Sequence, residues 1–203
     1  MKVVVSYINS KYSIDETIKK IDLSIADGIH VDLMDGIYVK GKSDLPDFNN
    51  ITKPLDVHLM VNNPNMYFPI ILKLKPTCIY IHPSTSINPL EALNYIKNNS
   101  VKAGIVINPD ENINDFKNYF SYVDRVLLMS VYPGAGGQDF LEETSERLNE
   151  LKKYQTNFEI YIDGGINAET IKKVSIADGV VSGSFICNSD NFDEQIKLLK
   201  DIR

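Results

Sequence analysis

The sequence has 203 residues, 43% hydrophobic and 24% charged, an ordinary globular composition with enough chain to bury one sizeable core. Its net charge of -6 would repel nucleic acid and anionic membranes, so an anionic ligand needs a locally positive site. The two cysteines, Cys78 and Cys187, lie far apart with no CxxC spacing, which suggests neither a disulfide framework nor a cysteine-rich metal site and fits a reduced cytoplasmic setting.

The chain opens on the apolar run Val3-Val4-Val5 and turns polar at Ser6, too soon for the apolar stretch of a signal peptide. No later apolar run approaches about 18 residues, so no membrane span is expected. Short β-rich runs then recur at residues 3–7, 28–33, 55–61, 78–82, 102–108, 123–131, 158–163 and 179–184. Helix-like segments at 13–26, 65–74, 89–99, 139–154, 167–174 and 190–202 lie between them, several opening on Ser, Asn or Asp as N-caps. Alternation of strand and helix calls for parallel strands with right-handed crossovers. Eight strands in 203 residues predict a compact α/β (β/α)₈ TIM barrel, with residues 1–203 forming one domain. The alternative is an open doubly wound sheet, which usually carries a Gly-rich phosphate loop after its first strand; Ser6-Tyr7-Ile8-Asn9 has no glycine.

In a barrel the site lies where the strands end, which singles out the last polar residues of each strand. His30 and Asp32 are two apart and share one strand face, continued by Met34; His58 and Met60 repeat the arrangement on the next strand. Asp163 ends the seventh strand just before Gly164-Gly165. Two imidazoles and two carboxylates at one mouth suit a divalent cation such as zinc, manganese, iron or cobalt. Each residue alone reads as a hydrogen-bonded core histidine or a turn-forming aspartate. All three histidines, His30, His58 and His82, nevertheless fall at the ends of neighbouring strands, and that coincidence favours a site. His82, followed at once by Pro83, is the weakest member, a substrate contact at best. Glycines cluster after strands six to eight, in Pro133-Gly134-Ala135-Gly136-Gly137-Gln138, Gly164-Gly165 and Ser182-Gly183-Ser184. They read either as tight-turn residues or as loops whose N–H groups hold a phosphate without basic side chains.

Four stretches carry a resemblance along nearly the whole chain: HVDLMDG at 30–36, DVHLMV at 56–61, MSVYPGAGGQDF at 129–140 and IDGGIN at 162–167. On these residues the sequence resembles the ribulose-phosphate 3-epimerase family. The resemblance implies one divalent metal bound by His30, Asp32, His58 and Asp163, with Asp32 and Asp163 also the catalytic acid and base. It implies substrate contacts from Ser6, an apolar wall of Met34, Met60 and Met129, and phosphate contacts from Gly137, Gly165, Gly183 and Ser184, and Gly134 and Gly136 are expected to bind substrate beside them. The implied reaction inverts C3 of a ketose phosphate, D-ribulose 5-phosphate to D-xylulose 5-phosphate, through a metal-stabilised enediolate. The partner is then a small sugar phosphate, and homo-oligomerisation stays open.

Four positions depart from the family pattern. Ala135 replaces an aromatic residue, Lys40-Gly41 a Pro-Asn pair and Asn9 a second serine, while residues 39–54 look as though the second helix were trimmed. These bear on substrate length and lid closure. They keep two alternatives in view, an allulose-6-phosphate 3-epimerase with room beside Ala135 and a non-catalytic sugar-phosphate binding barrel.

Overall fold

The structure, a computed structural model, describes residues 1–201. Eight parallel strands, β1 (Lys2–Ser6), β2 (Gly28–Met34), β3 (Leu55–Met60), β4 (Cys78–Ile81), β5 (Lys102–Ile107), β6 (Arg125–Met129), β7 (Glu159–Asp163) and β8 (Gly179–Ser182), pair in sequence order into a closed barrel. The helices are α1 (Ile14–Leu23), α2 (Phe68–Ile71), α3 (Pro89–Asn98), α4 (Thr144–Lys152), α5 (Ser184–Cys187) and α6 (Phe192–Asp201). Among the described residues no helix is long and apolar enough to cross a membrane.

Parallel strands covered on both faces must be apolar on both, and every residue of β2 and β3 is buried. The outward residues pack under the helices in a layer that includes Ile29, Val31, Val57 and Leu59. The inward ones form a second cluster inside the barrel, with Val4, Tyr80, Leu127, Tyr161 and Val181. Local chemistry sets the helix starts. Ser13 Oγ accepts the Glu16 N–H at 3.3 Å to cap α1, and Asn88 Oδ1 accepts the Glu91 N–H at 3.3 Å to cap α3, whose first residue is Pro89.

Strand and helix do not alternate throughout, contrary to expectation. Residues 35–54, between β2 and β3, contain no helix; Phe48 is buried in the outer layer with Leu45 and Ile51 against it, covering the barrel wall in the helix's place. Asp22 on α1 anchors the far end of this segment by accepting the N–H groups of Thr52 and Lys53 at 2.8 and 2.9 Å. The crossovers after β5 and β7 carry single 3₁₀ stretches, Ile113–Phe116 and Thr170–Val174. The expected helix at 65–74 breaks into 3₁₀ turns flanking the one-turn α2, with Pro64 and Pro69 punctuating it. The helix expected from residue 139 starts at Thr144, because the chain first crosses the barrel mouth, where the Leu141 N–H donates to the Ser130 carbonyl. The last expected helix starts at Phe192, after Asn191 Oδ1 accepts the Glu194 N–H, and its end at Ile202 lies outside the described residues. α5, directly after β8, was not expected; Ser184 belongs to it rather than to the strand.

The end of the barrel opposite the strand C-termini is closed by charge. Arg125 Nη1 donates to Asp56 Oδ2 at 2.6 Å and Arg125 Nε to Glu159 Oε2 at 2.8 Å, with the guanidinium 4.6 Å from the centre of the Tyr161 ring. Gly104 and Gly179 leave space for Tyr80 and Tyr161 in this layer, since a Cβ on either would lie 2.3 Å from its tyrosine ring. Burial raises the Asp56 carboxyl above its ordinary range against the opposing pull of Arg125. Burial would also raise Glu159, but the hydrogen bond and charge of Arg125 bring it down to about 2.

Arg125→Met is therefore expected to cost about 3–5 kcal/mol near neutral pH, the usual penalty for stranding a buried charge. In that variant the folded pKa of Asp56 rises further above its unfolded value, so the deficit is full above the folded pKa and relieved as the carboxyl protonates. The wild-type Glu159 contribution, present above its unfolded pKa, fades in the same acidic direction. Denaturant unfolding at about pH 7 and about pH 4 should show the gap between the proteins narrowing in acid. A gap that widens in acid would contradict this account of the barrel floor.

Candidate functional site

Strand register builds the site. β2 pairs with β3 so that Asp32 stands beside His58 and Met34 beside Met60; β1 sets Ser6 beside His30, and β6 sets Met129 beside Asp163. All eight residues lie at or near strand C-termini and face the barrel axis. Ser6 Oγ donates to Asp32 Oδ2 at 2.9 Å, leaving Oδ1 for the imidazoles. Asp32 Oδ1 is 3.2 Å from His58 Nδ1 and 3.4 Å from His30 Nε2. Asp163 Oδ2 is 3.6 Å from His30 Nε2 and 3.7 Å from His58 Nδ1. One nitrogen or oxygen from each of His30, Asp32, His58 and Asp163 lies within 4.8 Å of the others, a set able to hold a metal ion.

The electrostatics fit a cation. Burial opposes charge on His30, yet the carboxylates of Asp32, Asp163 and Asp56 push its pKa up to about 9. His58 also rises against burial, through Asp163 and Asp32. Asp32 falls far below the carboxylate range although burial alone would raise it, because both imidazoles face it. Neither ring nitrogen of the fully buried His30 has a hydrogen-bond partner, and its Nε2 faces two carboxylates. Buried polar nitrogens are rarely left so, and a divalent ion among these donors would satisfy Nε2.

One pocket opens onto this cluster. It is lined by Ser6, Asp32, Met34, His58, Met60, Met129, Gly134, Gly136, Gly137, Asp163, Gly165, Gly183 and Ser184, all of them singled out from sequence. His30 sits beneath the pocket rather than on its wall. No Lys or Arg is among the lining residues. At Gly165 the glycine is required: its φ is +62°, and a Cβ there would meet the Phe140 nitrogen at 2.7 Å.

The sequence reading missed part of the lining. Ile8, Tyr132, Ile166 and Gln138 also face the pocket, and Gln138 Nε2 braces its loop by donating to the carbonyls of Tyr132 and Ala135 at 2.6 and 2.7 Å. Tyr132, Gln138 and Ile166 lie inside quoted motifs and could have been found; Ile8 carries no sequence signal of its own. His82 does not line the pocket. Its side chain is buried behind His58, where burial and then the neighbouring His58 charge hold its pKa well below the ordinary value.

Fold and cluster together define a (β/α)₈ barrel with imidazole and carboxylate groups gathered at its C-terminal mouth, the end where such barrels carry their active sites. The sequence matches the ribulose-phosphate 3-epimerase family over residues 3–187. A ribulose-phosphate 3-epimerase of Helicobacter pylori is 38% identical over 100% of this chain and 98% of its own length, and one of Aquifex aeolicus 36% identical over 87% and 85%. Among solved structures, 3-hexulose-6-phosphate synthase from Salmonella typhimurium shares the fold with a TM-score of 0.70 at 11% identity, covering 100% of this chain and 98% of that one. The chain belongs to the ribulose-phosphate 3-epimerase family and is an epimerase, an isomerase acting on carbohydrates.

The purified protein is expected to bind a divalent metal at this cluster, and His58→Ala to lose it, since one of two imidazole donors is gone. Elemental analysis after reconstitution checks this. Wild-type stoichiometry near zero, with activity retained, would exclude the cluster as a metal site.

Proposed function

We propose that this chain interconverts D-ribulose 5-phosphate and D-xylulose 5-phosphate, with Asp32 and Asp163 as the acid and base that work on C3. The observation that carries this reading is the placement of the two carboxylates on separate walls of one pocket, at the ends of β2 and β7, with the imidazoles of His30 and His58 between them. Inversion next to a ketone needs a proton removed from one face of the carbon and returned to the other. One aspartate therefore enters each turnover ionised and the other protonated, and the roles exchange in the reverse direction. Ser6 holds Asp32 in place through Oδ2. Met34, Met60 and Met129 offer an apolar wall that excludes water from the reacting carbon.

A divalent cation held by His30, Asp32, His58 and Asp163, in the class zinc, iron, manganese or cobalt, supplies Lewis-acid stabilisation of the negative charge that develops on the substrate oxygens. The phosphate is assigned to the loops after β6, β7 and β8, through Gly134, Gly136, Gly137, Gly165, Gly183 and Ser184. With no basic side chain lining the pocket, backbone N–H groups are the donors of positive potential there. The two free, buried cysteines agree with a reducing, cytoplasmic setting. One observation favours a longer substrate: the small Ala135 lines the pocket. Allulose 6-phosphate is therefore the second substrate to test beside ribulose 5-phosphate.

If each aspartate serves one face, Asp32→Asn and Asp163→Asn should each lower net epimerisation by at least about 10²-fold. Given both epimers in deuterated water, each variant should keep C3 exchange from one epimer, opposite between the two. Variants that retain metal and still invert C3 at near wild-type rate would sink the two-base assignment.

Gly183 tests the phosphate assignment. Its φ is negative, and an added Cβ would meet the Ser6 carbonyl at 3.2 Å, a contact that alanine relieves by a shift of a few tenths of an ångström. Gly183→Ala is expected to raise KM for the phosphorylated sugar severalfold while Tm changes little. An unchanged KM would place the phosphate elsewhere.

A further inference from the structure

Behind His58, on the side away from the pocket, a line of hydrogen bonds runs outward. His58 Nε2 lies 2.8 Å from His82 Nε2, and His82 Nδ1 lies 3.0 Å from Tyr38 Oη. Asn108 Nδ2 donates to the same Tyr38 oxygen at 2.9 Å. The rings are in register with the bonds. His58 and His82 stack at 5.1 Å between centroids, and Tyr38 lies 4.7 Å from His82. Both ends are anchored: the Asn108 N–H donates to Glu111 at 2.7 Å, its carbonyl accepts from Arg147 at 2.8 Å, and the Tyr38 N–H donates to Asp35 Oδ1 at 3.0 Å.

Across 2.8 Å the two imidazoles can share only one proton, so one Nε2 donates and the other accepts. The choice decides what His58 presents to the cluster. If His82 donates, His58 carries its proton on Nδ1, which then donates to Asp32 and is closed to any other partner. If His82 accepts, Nδ1 is bare and faces Asp32 and Asp163 with a lone pair, an arrangement that only a cation makes favourable. The second arrangement requires Tyr38 Oη to accept the His82 Nδ1–H, which leaves His82 Nε2 as an acceptor.

We infer that His82 is a positioning residue for His58: it accepts the Nε2–H and holds the ring in the tautomer whose Nδ1 is open to a metal, with Tyr38 and Asn108 orienting His82 in turn. The outer partner of a ligating histidine is usually a carboxylate, carbonyl or water; here a second imidazole fills that place. Tyr38 comes from the helix-free connection after β2, so the loop beside the pocket mouth reaches the cluster through this line.

The inference rests on the reading of His58 as a metal ligand, and the experiment separates the two. Apo wild type, His58→Ala, His82→Leu, His82→Gln and Tyr38→Phe are titrated with Co²⁺ in the absence of substrate, following the visible absorption spectrum and chelator competition. Thermal melts of the apo proteins establish which are folded. His82→Leu should bind Co²⁺ about 10–100-fold more weakly with an altered spectrum, and Tyr38→Phe toward the lower end of that range. His82→Gln, whose amide oxygen can accept the same proton, should stay closer to wild type. If His82→Leu does not fold, Tyr38→Phe decides the matter alone, because it removes a single hydroxyl. Wild type that binds no Co²⁺ overturns the metal reading and this inference with it. Wild type that binds, with His58→Ala defective but His82→Leu and Tyr38→Phe at wild-type affinity and spectrum, overturns the positioning role only.

Discussion

The ladder between β2 and β3 is the constraint on which the rest of the mouth depends. Its register sets Asp32 beside His58 and Met34 beside Met60, and continues downward to His30 beside Asp56. Because side chains alternate with a period of two, a slip of one residue would turn this whole set into the helix layer and bring Val31, Leu33, Val57 and Leu59 into the barrel. Those four belong to the outer apolar cluster. The hydrophobic cost of exposing them to the polar mouth is what pins the register, so the metal-capable cluster is held by residues that never touch it.

The same two strands carry a gradient of charge down the barrel. At the mouth, His30 and His58 face Asp32 and Asp163; one layer below, Asp56 faces Arg125. His30 lies between the layers and senses carboxylates from both, which explains why a fully buried imidazole is pushed up in pKa rather than down. The floor has its own permanent cation in Arg125. The mouth has none, and its acidic side chains are balanced only if an ion enters or the imidazoles protonate. That asymmetry supports the metal reading independently of any likeness to relatives.

The strands were legible because parallel barrel strands are short, continuous apolar runs that end in polar groups, and each of the eight lies within two residues of its expected bounds. The helices were less so. Pro64 and Pro69 leave segment 65–74 a single α-helical turn, segment 167–174 forms only a 3₁₀ stretch, and the covering of β2–β3 by Phe48 depends on tertiary packing that no local pattern displays. At the site, period-two spacing placed His30, Asp32 and His58 on inward faces, and the pocket gathers the rest except His30, which stands two residues deeper on β2, level with Asp56. His82 was misplaced for a related reason. Its position at a strand end marked it as near the site, but whether a side chain faces the pocket or backs another residue depends on the neighbouring strand. Tyr38, in a loop, carried no signal, whereas Asn108, the polar end of the run expected at 102–108, met the strand-end criterion and was passed over.

The absence of a helix between β2 and β3 is tied to the site itself. The connection turns sharply after Met34, where Ser43 Oγ accepts the Met34 N–H at 2.9 Å and donates to the Asp32 carbonyl at 2.9 Å. Asp35 accepts the N–H groups of Ile37, Tyr38 and Asn62, tying the loop to the end of β3. Gly41 then passes so close to the β6 loop that a Cβ would lie 2.7 Å from the Gly134 carbonyl and 2.8 Å from Met34 Sδ. A proline–asparagine pair at positions 40 and 41 would not permit this approach, because any side chain at 41 must displace the methionine wall or the glycine loop. The departure at Lys40-Gly41 and the trimmed connection are thus one feature. A short loop, folded back by side-chain-to-backbone bonds, braces the strand that carries Asp32 and delivers Tyr38 to the histidines from outside.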